Sequence, residues 1–197
     1  MLKVNYKNTY RLLNHGPTVL VSVAHIGKRN IMAAAWVCAL DFDPPKITAV
    51  IDKNTYTREL IEASGSFAIN VPCVAQIDMV KQVGSCSGHD MVADKFAQFN
   101  IPTFAAQQIS APLVEGCVAW LECKIIPEPH NQNTYDLFIA EVVAAYADER
   151  VFSQGADGQW RWHFEGHDQE TLDKLRTIHH VAGGAFFATG KSLQAST

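Results

Sequence analysis

The sequence has no apolar run long enough to span a bilayer, and its opening Met1-Leu2-Lys3-Val4-Asn5-Tyr6 lacks the apolar stretch of a secretory signal. Charge is scarce as well. Asp, Glu, Lys and Arg make up only 18% of the 197 residues, the net charge is −4, and no basic block appears, so nucleic acid finds no electrostatic partner. The five cysteines (Cys38, Cys73, Cys86, Cys117 and Cys123) are odd in number and include no CxxC pair. That excludes a disulfide framework and a zinc knuckle, and reads as free thiols in a reducing cytosol. HExxH is absent, and among His163, His167, His179 and His180 the i, i+4 pair His163 and His167 is interrupted by Gly166, so no metal is expected and these are packing or surface histidines. Cys86 lies near His89 without a third group to orient a nucleophile. Internal repeats and low-complexity segments are missing too. The expectation is a soluble cytoplasmic protein with neither a nucleic-acid nor a membrane partner.

What the chain does have is apolar residues, 48% of the total, enough for a substantial core. Most fall in strand-like runs. Pro17 to Val23 is β-branched and apolar, and Gly27-Lys28-Arg29-Asn30 is a polar turn. Ile31 to Leu40 reads as one extended strand that uses alanines for close approach, followed by the turn Asp43-Pro44-Pro45 and a strand over Ile47 to Ile51. A short helix is expected over Thr57 to Ala63, with Asn54, Thr55 or Thr57 as cap and Gly65 as stop. Phe67 to Val71 is a strand ended by Pro72. Gln76 to Val83 and Val92 to Phe99 read as helices, with a loop from Gly84 to Asp90. Cys117 to Ile125 alternates with period two, Tyr135 to Tyr146 repeats that style, and Pro127 to Asn133 between them reads as a loop. His167 to His179 has the pattern of an amphipathic helix, acidic first and basic last. Strands joined by short helices point to a mainly β fold, a small barrel with helical connections. Residues 1–150 form the principal domain, and 151–197 are a C-terminal extension with too few apolar residues for a core of its own.

The residues that carry chemistry cluster between Asn30 and Pro72. A phosphate needs backbone N–H groups, hydroxyls or a cation, and a helix N-terminus offers the first together with its dipole. Lys53-Asn54-Thr55-Tyr56-Thr57 supplies a cation, hydroxyls and a helix start, while Ser85, Ser87, Gly88 and Lys95 form a second wall. A flat flavin ring must lie against backbone amides, which Ala33-Ala34-Ala35 leaves accessible, with Trp36 beside the ribityl chain or under the barrel. Taken singly, each piece has a plainer explanation. Thr57 caps a helix, Lys53 is a solvated charge, the alanines fill a tight interior and Trp36 is core. Gly183-Gly184-Ala185-Phe186-Phe187 is no dinucleotide fingerprint. It lets the tail turn across the barrel or a dimer partner, and contact of Phe186 or Phe187 with the cofactor is the sharper alternative.

In combination the segments resemble the flavin reductase-like family of FMN-binding split β-barrels, the flavoredoxin-type branch above all. The resemblance rests on Asn30, Met32, Ala35 and Trp36; Pro44-Pro45; Tyr56-Thr57; Ser64-Gly65-Ser66-Phe67-Ala68-Ile69-Asn70-Val71-Pro72; Val83-Gly84; Ser87-Gly88; Asp94-Lys95-Phe96; Ala111 to Gly116; and Leu137 to Val142. It implies a Greek-key-like split barrel, and FMN in a groove of a homodimer. Asn30, Met32, Ala33, Ala34, Ala35 and Trp36 would then flank the ring and ribityl chain. Asp52, Lys53, Tyr56, Thr57, Ser87, Gly88 and Lys95 would surround the phosphate. It further implies hydride transfer from NAD(P)H to flavin N5 with the flavin carrying the chemistry, so no catalytic side chain is assigned. One segment departs from the pattern. Where many relatives carry Gly-Asp-His, this chain has Asn133-Thr134-Tyr135, with His130 out of register. An FMN-holding electron carrier with a redox protein partner, and a barrel that binds something other than flavin, therefore stand beside the reductase.

Overall fold

The computed structural model describes residues 1–14, 16–193 and 195. Seven antiparallel strands form the main sheet: β1 (Val19–His25), β2 (Lys28–Ala34), β3 (Val37–Phe42), β4 (Pro45–Val50), β5 (Ser66–Val71), β8 (Ala119–Ile126) and β9 (Leu137–Ala147). Their spatial order is β2-β1-β5-β8-β9-β4-β3. Three two-stranded ribbons complete the β structure: β6 (Thr103–Ala105) with β7 (Pro112–Val114), β10 (Phe152–Gln154) with β11 (Trp160–Trp162), and β12 (Ile178–Ala182) with β13 (Ala185–Ala188). The helices are short: α1 (Tyr56–Ser64), α2 (Ile77–Gly84), α3 (Lys95–Gln98), α4 (Pro129–Tyr135) and α5 (Gln169–Leu175).

The protein is mainly β, with the split-barrel fold. Val21 and Val23 of β1, Ile47 and Ala49 of β4, and Phe138 of β9 share one core with Leu60 and Ile61 of α1. Strands β1 and β4 stand four places apart in the sheet, so only a curled sheet brings them together. The opposite face of β1 packs Leu20 with Ile31, Val80 and Val83 of α2, and Phe96. Helix α2 therefore lies outside the barrel beside β2, and α1 lies across its mouth.

Several elements differ from the sequence expectation. The run Ile31 to Leu40 is two strands. Ala34 ends β2 opposite Val19, and Val37 begins β3 opposite Ala49. β2 and β3 are the two opposite edges of the sheet, so the chain must bend at Ala35-Trp36 to pass from one to the other. The segment Pro127 to Asn133 contains α4 instead of a loop. Pro129 opens it, Asp136 closes it in the left-handed region (φ 55°), and Arg58 binds both its Gln132 carbonyl and the Asp136 carboxylate. The helix expected over His167 to His179 is confined to α5. After Leu175 the chain turns extended at Arg176, because Val74 N–H and the Cys73–Thr177 bridge draw it into sheet-like pairing. Likewise α3 begins only at Lys95, where Asp94 accepts the Ala97 N–H at 3.0 Å.

β8 keeps its alternation against β5, and the bulge beside it takes an extra residue, Val143, into β9. Cys123 faces the barrel core with Phe67, Glu122 faces the other side beside Ala68, and both are fully buried. The Glu122 carboxylate is satisfied by the N–H groups of Gln107 and Gln108 at 2.9 and 2.6 Å. Beyond residue 150, Val151, Phe164 and Leu175 pack on Cys73 and Val118, which joins the C-terminal ribbons and α5 to the sheet.

Candidate cofactor-binding site

A groove runs along β2. Because β2 ends the sheet and pairs only with β1 among the described residues, one row of its backbone N–H and C=O groups is open to a ligand. On one side stands the N-terminus of α1. Its first turn presents N–H groups ahead of the first helical bond, which runs from Arg58 and Glu59 to the Thr55 carbonyl. Thr55 also caps the turn by accepting the Arg58 N–H on its hydroxyl. On the other side are the end of α2 and the loop to Gly88. Between the walls lies a cavity of about 330 Å³, bounded by Asn30, Met32 and Ala33 of β2, Tyr56 and Thr57 of α1, and the segment Val83 to Gly88. A second cavity of about 170 Å³ continues along Ala33, Ala34 and Ala35 to Lys81, His180 and Phe186. Ala33 and Gly84 border both.

Local chemistry holds the polar end rigid. Asn30 Nδ2 donates to Thr57 Oγ1 at 2.9 Å, and both residues are buried. Thr57 keeps its own hydroxyl proton to donate. Gly88 lies so close to this pair that a Cβ there would come within 2.7 Å of Tyr56 Cδ1 and 2.8 Å of Asn30 Oδ1. Ser87 Oγ accepts the His89 N–H, and the His89 ring packs against Tyr56 at 5.1 Å. Lys95 lies beneath, 2% exposed, donating to the carbonyls of Val83 and Cys86 at 2.7 Å each. Burial pushes its ammonium below the ordinary lysine range, and the neighbouring Cys86 opposes the shift only in part. Its positive charge sits under the cradle while its donors fasten the loop.

The structure thus brings Asn30, Met32, Ala33, Tyr56, Thr57, Ser87, Gly88 and Lys95 to one cavity, and Ala34 and Ala35 to its continuation. Three residues from the sequence lie elsewhere. Asp52 is exposed and builds the turn before α1, accepting from Asn54 N and Nδ2 at 2.8 and 2.9 Å. Lys53 is exposed beside it and lines neither cavity. Trp36 is 52% exposed and turned to another face, where its indole N–H meets Asn14 Oδ1 at 3.2 Å and its ring meets Tyr10 edge-on. Gly84, Lys81 and His180 line the groove without having been singled out for it. Gly84 left a sequence signal in the Val83-Gly84 pair of the family pattern, and His180 only as one of the histidines weighed for a metal. His163, considered for a metal, instead bonds Ser153 Oγ at 2.9 Å.

These features fit a phosphorylated flavin. The polar end offers hydroxyls, a helix N-terminus and a buried positive charge. The apolar continuation offers a free strand edge behind small side chains. Together the cavities fall in the range of small-ligand sites, about 300–1,000 Å³.

A split barrel with a cofactor-sized groove along its free edge is the class of protein that fold and site define. Residues 10–165 match the flavin reductase like domain, and the chain belongs to the flavin reductase-like family. It is 43% identical over 197 residues to the uncharacterized protein YddH of Escherichia coli K12, spanning 98% of this chain and 97% of the relative. Its fold matches the FMN-binding domain of a flavin reductases-like enzyme from Shewanella baltica OS155, with 50% identity, a TM-score of 0.82 and coverage of 98% and 96% of the two chains. It also matches the flavoredoxin of Desulfovibrio vulgaris (Miyazaki F), with 26% identity, a TM-score of 0.74 and coverage of 92% and 90%.

Proposed function

We propose that the groove holds FMN and that the protein is an oxidoreductase passing hydride from NAD(P)H to flavin N5. The observation that carries this is the continuity of the two cavities, from the α1 N-terminus at one end to the open edge of β2 at the other. Tyr56, Thr57, Ser87 and Gly88 bind the phosphate above the Lys95 charge, with Asp52 and Lys53 on its outer approach. Asn30, Met32 and Ala33 to Ala35 flank the ribityl chain and ring, with Trp36 beyond them. Bound FMN supplies the redox chemistry; the chain binds it, orients it and restricts water.

An FMN-containing electron carrier is the second reading. One observation favours it. Tyr135 and His130, which occupy the region of the relatives' histidine motif, pack against each other on α4 and line neither cavity. The match to a flavoredoxin supports the same reading.

A homodimer belongs to the proposal. β3 is an exposed edge carrying Leu40 and Phe42, and beside it is a hollow of about 610 Å³ lined by the exposed Trp36, by Val37 and, at its floor, by the barrel residues Ile47, Ile69 and Leu121. A second copy covers this apolar surface. The five unpaired thiols support a reducing, cytoplasmic setting.

Purified protein mixed with FMN and reduced anaerobically tests the function. Rapid bleaching of the flavin's visible absorbance by NADH or NADPH supports the reductase. Bleaching only by a reduced redox protein selects the carrier. Protein that takes up no FMN overturns both.

A further inference from the structure

The β12–β13 hairpin lies beyond residue 165, where the match to the family domain ends. It is nevertheless tied to the groove. Thr18 N–H donates to the Ile178 carbonyl at 3.0 Å, the His180 N–H donates to Thr18 Oγ1 at 2.8 Å, and the Asn14 amide donates to the His180 carbonyl at 3.2 Å. Ile178 is fully buried in the cluster around α2, and Phe186 packs against that cluster. This anchoring sets His180 and Phe186 against Lys81, Gly84 and the alanines of β2, around the 170 Å³ cavity.

Of the three polar side chains there, Thr18 is bound to the hairpin and the His180 ring is held in place. His180 Nε2 lies 3.1 Å from the Gly183 carbonyl, and the ring meets Phe186 edge-on at 5.3 Å. A carbonyl only accepts, so Nε2 carries the proton and Nδ1 is left for another group. Lys81 lies across the hairpin turn. A Cβ on Gly184 would come within 3.1 Å of its Cε and 3.2 Å of its Nζ, so the glycine is what leaves room for the lysine. Among the described residues Lys81 makes no salt bridge.

We propose that this hairpin is the ring-end wall of the cofactor groove, with Phe186 as its apolar face and His180 as its polar edge, and that Lys81 of α2, lying against it, is the cation that stabilises the negative charge of the reduced ring. The inference rests on the FMN reading above. A cation beside a group that gains charge favours the charged form. Lys81 therefore binds reduced FMN more tightly than oxidised FMN, with His180 positioned beside it, while the phosphate cradle at the other end binds both forms equally.

The full-length protein loaded with FMN tests this with Lys81→Met, His180→Gln, their double variant and Lys81→Arg. Two quantities are read: the dissociation constant of oxidised FMN by fluorescence quenching, and the midpoint potential by spectroelectrochemical titration. The double variant should hold oxidised FMN within about threefold of the parent and bind the reduced form roughly tenfold less favourably, a fall of about 30 mV for a two-electron couple. Lys81→Arg, which keeps the charge, should stay near the parent potential. If the parent binds FMN and the double variant matches it in both quantities, the inference fails and the FMN reading stands. A parent that takes up no FMN overturns both.

Discussion

Thr57 and Asn30 hold each other at the floor of the groove, and their partnership sets what a substitution does. Thr57→Val keeps the shape but leaves the buried Asn30 amide without its acceptor, at a cost of about 1–3 kcal/mol in stability. It also removes a hydroxyl from the cradle, so FMN should bind roughly tenfold more weakly or worse, since a hydrogen bond to a charged group contributes about 1.5–3 kcal/mol. Lys53→Ala, outside the cavity, should leave affinity nearly unchanged; an FMN fluorescence titration of both variants checks the contrast. Asp148 carries a pH prediction. Hydrogen bonds from Arg150 hold its carboxyl below the ordinary range. A depressed native value means stability that is present above the unfolded pKa, about 3.9, and lost as pH falls through the lower native value. Asp148→Asn should therefore be less stable than the parent at neutral pH, with the gap closing below about pH 4, as urea unfolding at several pH values would show. Residue identity was legible in these cases where residue role was not. Lys95 stood out as a cation near the phosphate, but nothing local shows that its donors are bound to two carbonyls. The thiols divide in the same way: burial pushes Cys123 up to about 12 and Cys117 higher still, while Cys38 is exposed.

Arg58 links the elements around the groove. From α1 it reaches Glu62 at 2.8 Å, the Asp136 carboxylate at 2.5 Å, the Gln132 carbonyl at 2.8 Å and the Ile51 carbonyl at 3.3 Å, over the Phe138 ring. It fastens α1, whose N-terminus forms one wall, to α4 and the start of β9. Arg58→Met should cost about 3 kcal/mol in urea unfolding, toward the low end for a broken buried pair because both acids are partly exposed. Its effect on FMN affinity should exceed that of a solvent-facing change such as Glu59→Gln. The sequence pattern reveals α1 well, through Thr55, Thr57 and Gly65, because capping is local. It does not reveal α4, whose Pro-His-Asn-Gln-Asn run has weak intrinsic helicity and relies on a partner from α1 distant in sequence. The burial of Glu122 was hidden for the same reason: the N–H groups that satisfy its carboxylate come from another loop.

At the scale of the whole molecule, curling of the sheet leaves β2 and β3 as two open edges with different uses. β2 faces the groove, while β3 and the apolar hollow beside it face a second copy in the proposed dimer. Lysine on an exposed edge opposes strand addition. Leu40→Lys with Phe42→Lys should therefore convert a dimer to a folded monomer in sedimentation velocity, since both side chains are already exposed and contribute little to the core. An unchanged dimer at the same concentration would place the interface on another surface.

Strand content, the capped helix before Ser64 and the small, polar and hydroxyl residues of the groove follow from the amino-acid order alone, because period-two patterning, caps and glycines act within a few residues of themselves. The break at Ala35-Trp36, the displacement of Trp36, the buried staple at Lys95 and the arrival of His180 at the groove depend on contacts between segments far apart in the chain. Such contacts exist only once the sheet has curled and the C-terminal hairpin has docked, and no local pattern encodes them.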